Sequence, residues 1–265
     1  MKLIQQPLTL KVSNTLPEEN AFNTARGRHG ALLPNSIRCL ISGGSNCGKT
    51  NVMVELKVNA NGLLFKNIYL YTKTPHQPKY KFLKDVFDGI KGIGYHVFAE
   101  NEEVIPPSDA SSDSIFIFDD VACNNKQSIM KEYFSLGRHS GVECFYLTQS
   151  FAAVPKLLLR DNCNLIVLFK QDDLNLRHIY HDYCSTDMSF EYFKKIAGLC
   201  WQDKYGFLVI SKEDPLDCGR YRRGFDVFIQ IENQSNSLNT STPKVKNGTL
   251  RIDNQSSSSD QEKIQ

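Results

Sequence analysis

Gly43-Gly44-Ser45-Asn46-Cys47-Gly48-Lys49-Thr50 sets glycines, a lysine and a hydroxyl at the spacing G-x-x-x-x-G-K-[ST]. That spacing suits the capture of a triphosphate. A triphosphate is a dense anion, held best by main-chain N–H groups that converge on its oxygens. Glycines at 43, 44 and 48 permit the tight, partly positive-φ turn that aims those groups inward. A helix starting near Lys49 adds its partial positive charge. Lys49 would reach the β- and γ-phosphates of ATP, and the Thr50 hydroxyl would enter the shell of a Mg²⁺ ion. Ser45, Asn46 and Cys47 fill the variable positions of the phosphate-binding set. Cys47 has no base partner that the sequence places beside it, so it is not read as a nucleophile.

Further carboxylates and an amide complete the set. In Ser114-Ile-Phe-Ile-Phe-Asp-Asp120 an apolar, β-prone run ends in two aspartates. Ligands of open α/β sheets bind at the carboxyl ends of the strands. Asp119 is therefore assigned to the Mg²⁺ side, through water, and Asp120 to orienting and deprotonating the attacking water. Thr148-Gln149-Ser150 tips a later strand, Val142–Leu147. If that strand lies between the phosphate-loop strand and the Asp119 strand, Gln149 points at the γ-phosphate. Its alternative is a solvated loop.

These groups need a frame. The apolar run Ile37–Ile41 leads into the glycine loop, and helix-compatible Asn51–Val58 follows it. Further strands are expected near Leu8–Val12, Asn67–Thr72, Tyr95–Ala99, Ile115–Asp119 and Leu165–Phe169, with an antiparallel edge near Phe207–Ser211 and Phe225–Ile229. Strands alternating with helical patterns predict an α/β fold, with a mostly parallel sheet and helices on both faces. A helix over Asn125–Leu136 would bury Ile129, Met130, Tyr133, Phe134 and Leu136, capped by Asn124 or Asn125, and end at Gly137. Arg138-His139-Ser140-Gly141 then reads as a loop. In a helix from about Asp172 to Tyr183, Leu176, Ile179, Tyr180 and Tyr183 form the buried stripe. His178 and His181 fall on the opposite face, away from a metal role with Cys184.

The chain has 265 residues, a net charge of +2 and 41% hydrophobic residues. That divides into an N-terminal strand or arm (1–30), a core (31–230) and a polar tail (231–265). In the tail 19 of 35 residues are Ser, Asn, Gln or Thr, so disorder is expected there. The small net charge excludes a bulk polycation; contact with nucleic acid would need local clusters. Arg220, Arg222 and Arg223 are the densest, with Lys79, Lys81 and Lys84 the next. Eight cysteines never fall as C-x-x-C, and neither a signal peptide nor a membrane-length apolar run is read. An intracellular, reduced protein without a membrane partner is the expectation.

Gly43–Thr50, Ile115–Asp120, Gly137-Arg-His139 and Tyr146-Leu-Thr-Gln-Ser150 come in an order that resembles the genome-packaging ATPases of the FtsK/HerA superfamily. The likeness is to the poxvirus-type branch shared with Maverick/Polinton transposons, and Pro155–Tyr183 shares it. The resemblance implies a RecA-like (ASCE) P-loop core, a homo-oligomeric ring around double-stranded DNA, and ATP-driven translocation into a capsid. It also implies capsid or portal partners and a host nucleus or cytoplasmic viral factory as the site of action. It departs at Asp120, where cellular relatives usually carry Glu. Such rings commonly supply an arginine to the neighbouring subunit's phosphate. Arg138 is the favoured finger and Arg160 the other candidate. The competing enzyme is a P-loop kinase for nucleosides or other small molecules, which has no strand between its two motif strands. A scaffold that binds nucleotide with little turnover is the third reading. A GTPase is disfavoured because no Asn-Lys-x-Asp motif occurs.

Overall fold

The computed structural model describes residues 28–99, 104–119, 121, 127–157 and 159–231. The expected strand Leu8–Val12, the Asn124/Asn125 cap, Asp120 and the tail beyond 231 lie outside them.

The described residues form one sheet in the order β3-β2-β4-β5-β1-β6-β7-β8-β9. Its strands are β1 (Arg38–Ser42), β2 (Asn67–Thr72), β3 (Gly94–Ala99), β4 (Ser114–Asp119), β5 (Val142–Thr148), β6 (Leu165–Leu168), β7 (Leu208–Ser211), β8 (Tyr221–Arg223) and β9 (Val227–Phe228). The first six are mutually parallel, and β7, β8 and β9 add antiparallel. The α/β expectation holds, with its antiparallel edge. One strand was missed. β8 is short and carries arginines, so no apolar run announces it.

Near-continuous apolar strands bury both faces of a sheet, and side chains alternate between the faces. In β4, Ile115 and Ile117 go to one core, while Phe116 and Phe118 go to the other. The first core is roofed by α1 (Lys49–Val58) and α2 (Pro78–Asp88), through Val52, Met53, Leu56, Tyr80, Leu83 and Phe87. The second is roofed by α3 (Gln127–Leu136), α4 (Asp173–Ile179) and α5 (Phe190–Cys200). Asp119 follows Ile115 and Ile117 in parity, so it faces the α1–α2 side.

Three local expectations change. Leu136, expected on the buried face of α3, is half exposed, while Met130, Tyr133 and Phe134 are buried. The chain does not loop after α3 but winds a 3₁₀ turn over Gly137–Ser140. Gly141, not Gly137, takes the left-handed conformation that ends it, at φ 70°. Beyond α4 the helix widens into a π-turn over Tyr180–Cys184. Leu176, Ile179 and Tyr183 are buried as predicted, and His178 and His181 are exposed. Among the described residues no group of His, Cys, Asp or Glu is arranged to hold a metal by itself.

Candidate functional site

β1 delivers the glycine loop to the edge where β4 and β5 also end. Ile41 stands level with Leu147, and Leu147 with Asp119, so the three strands finish almost flush. The Gly43 amide donates to the Thr148 carbonyl at 3.2 Å and ties the loop to the tip of β5. Gly48 caps α1 at φ 115° with no side chain closing the helix end, and Asn46 has φ 60°. The first-turn amides of α1 are thereby presented outward, as an anion requires. Gly43 is needed for space. A Cβ there would lie 2.6 Å from Phe169 Cβ and 2.7 Å from Cys47 Sγ.

Lys49 reaches back over the turn, its Nζ donating to the carbonyls of Gly43 at 2.6 Å and Gly44 at 2.9 Å. A cavity of about 300 Å³ opens in front of it. Ser45 to Thr50 line it together with Asp119 and Gln149, so most of the site read from sequence converges in one place. Asp120 lies outside the described residues. β5 does lie between β1 and β4, which puts Gln149 where the condition on strand order required. Thr50 and Asp119 are hard oxygen donors, and two such donors suit Mg²⁺ completed by phosphate oxygens rather than a cage of protein ligands. The residues fit the ion.

The sequence reading missed three residues here. All sit at the start of α2, where Pro78 occupies the first turn. Gln77 and Lys79 line the cavity. Tyr80 is 3% exposed, and its hydroxyl donates to Asp119 Oδ2. Burial, then the Asp119 charge, push the phenol well above its ordinary pKa, so it stays protonated as a donor. Lys79 is the first of the basic cluster Lys79, Lys81 and Lys84. Lys84 pairs with Asp88 on its own helix.

A larger cavity, about 540 Å³, adjoins the loop at Gly48. It runs along α1 and is walled by Phe169, Tyr205, Phe207 and Phe225, with Asn51 and Asp226 on its polar side. A Cβ on Gly48 would lie 3.7 Å from the Tyr205 ring, so this ring stands beside the phosphate loop. Its aromatic walls suit a flat heterocycle. No motif marks it, because its aromatics come from segments far apart in the chain.

The two arginines separate. Arg138 is exposed in the 3₁₀ turn that precedes β5, at the opposite end of that strand from Gln149. Seven residues of strand put it about 20 Å from its own phosphate cavity. Arg160 is held within its own chain. It pairs with Asp182 at 2.6 Å and lies over the Phe151 ring at 4.9 Å. In the Arg220–Arg223 cluster each arginine has an acidic partner, and Arg223 makes its pair at the surface. Arg220 pairs with Asp187, Arg222 with Asp214, and Arg223 with Asp203. Arg222 is only 3% exposed, which ends its reading as a solvated DNA-facing patch.

No protein-family model and no curated protein matches the chain. Among solved structures it is similar to the genome packaging NTPase B204 from Sulfolobus turreted icosahedral virus 2. The complex with AMP has 14% identity and a TM-score of 0.46, over 68% of this chain and 94% of that one. The complex with ATP-gammaS gives 15% identity and a TM-score of 0.44. The DNA-packaging ATPase B204 from Sulfolobus turreted icosahedral virus gives 17% and 0.43, over 65% and 91%. Likeness at that level leaves the chemistry of this chain to its own residues.

Proposed function

We propose that the protein hydrolyses ATP and uses the energy to translocate double-stranded DNA as a homo-oligomeric motor, in genome packaging of a virus or virus-like element. The observation that carries the hydrolase part is the insertion of β5 between β1 and β4, which brings Gln149 to the same cavity as Lys49, Thr50 and Asp119. A small-molecule kinase lacks that strand. The translocation part is supported by the ordered motifs named above and by the distance of Arg138 from its own site.

The turn Gly43–Thr50 would hold the phosphates, with Lys49 exchanging its loop carbonyls for β- and γ-oxygens. Thr50 and Asp119 would hold Mg²⁺, which would neutralise phosphate charge when bound. Gln149 would orient a water against the γ-phosphorus. Asp120 would take the proton as the water oxygen bonds to phosphorus and the bond to the β-phosphate oxygen breaks, releasing ADP. The aromatic cavity beside Gly48 would take the base. Arg138 would serve the neighbouring subunit, and a capsid or portal protein would receive the DNA.

Steady-state phosphate release from ATP, with and without long duplex DNA, tests the proposal. Turnover stimulated by duplex is expected. ATP binding without turnover would instead establish the scaffold reading, and absence of binding would end both.

A further inference from the structure

We propose that Tyr80 is the positioning residue of the metal seat, donating its hydroxyl proton to Asp119. The proposal rests on the ATP reading of the cavity and adds to it a residue from outside the motifs.

A carboxylate that serves a cation must hold its oxygens toward the ion, and a hydrogen bond from a fixed donor sets that orientation. Tyr80 donates to Asp119 Oδ2. The direction is enforced by charge, since the carboxylate only accepts and thereby draws the Tyr80 proton toward itself. The outcome is that the Asp119 carboxylate is held in one orientation at the cavity it lines.

The ring is fixed well enough to do this. Tyr80 packs with Leu83 and Phe87 in the core that also holds Val52 and Met53 of α1. The helix that follows the phosphate loop and the one that carries Tyr80 are therefore braced against each other. Hydrogen-bond partners one shell out from a metal typically change its affinity about 10–100-fold when removed.

The test uses the full chain, wild type and Tyr80→Phe, with N-methylanthraniloyl-ATP as fluorescent probe. Nucleotide affinity is measured in EDTA and during titration with Mg²⁺. In Tyr80→Phe the Mg²⁺ midpoint should rise about 10–100-fold, while affinity in EDTA stays within about twofold. In an Asp119→Asn background, Tyr80→Phe should add nothing to the midpoint, because the anionic acceptor is gone. An unchanged midpoint overturns the role, as does an equal loss in EDTA and Mg²⁺. Failure of Tyr80→Phe to fold also overturns it, since the hydroxyl would then be holding the fold rather than the seat. Should wild type bind no probe, or show no Mg²⁺ response, it is the ATP reading that fails, not only the part played by Tyr80.

Discussion

The ammonium of Lys49 stands 2.6 Å from the carbonyl oxygen of Gly43, so the first turn of α1 is clasped to the start of the loop it follows. A cation so placed meets whatever anion enters the turn. Lys49→Ala should abolish ATP turnover and weaken nucleotide binding by about 10–100-fold, the worth of a charge-assisted hydrogen bond. Circular dichroism should stay unchanged, because the clasp touches no core residue. Turnover at the wild-type rate would remove the site from this loop.

Adjacent glycines give a sharper test of the turn. At Gly43 a Cβ would collide with Phe169 and Cys47, while at Gly44 nothing lies within 4 Å. Gly43→Ala should displace the loop and lose nucleotide binding. Gly44→Ala should bind within a few-fold of wild type. Equal behaviour of the two would mean that the loop does not hold the phosphates in this shape.

Arg138 and Arg160 should part company. Arg160→Ala removes one partner of a largely buried pair and should cost roughly 3 kcal/mol of stability, seen as a lower melting temperature. Arg138→Ala should melt like wild type, yet turn over little ATP. Mixed with Asp120→Asn subunits it should regain activity, each subunit supplying what the other lacks. No recovery at any ratio would count against a shared site.

Burial lowers the Lys57 pKa to about 7, near the end of α1. The unfolded chain keeps a proton on this amine up to about pH 10.5, so between pH 7 and 10.5 the unfolded state binds more protons and stability rises with pH. Below pH 7 the cost of the buried cation is fully felt. Lys57→Met should therefore raise the melting temperature most at pH 6–7, by at least about 2–4 °C if 1 kcal/mol is recovered. The gain should shrink toward pH 10. A gain independent of pH would show that charge is not the cause.

Tyr205 borders the aromatic cavity rather than the phosphates. Tyr205→Ala should weaken ATP binding by about 5–100-fold, the range of one lost base–aromatic stack. Inhibition by inorganic tripolyphosphate should not move. If both ligands weakened together, the cavity would not be the base site.

Much of the site was legible because its chemistry is local. The turn Gly43–Thr50 needs glycine, lysine and threonine at set spacings, and buried parallel strands such as β4 and β5 are written as apolar runs. Arg222 misled because charge in sequence looks solvated; it is buried with the Asp214 carboxylate and the carbonyls of Leu32, Gly219 and Phe225 all accepting from it. Arg160 misled likewise, with Asp182 arriving 22 residues later.

By itself the sequence determined the glycine turn, the strands that end beside it and the alternation of helices with strands, since each depends on neighbours a few residues apart. Only the tertiary structure decided that β5 enters between β1 and β4, that Arg138 lies at the far end of β5 from its own cavity, and that Tyr80 meets an aspartate 39 residues further on. Strand order and long-range hydrogen bonds are set by how whole layers pack, and no local pattern of residue types records that.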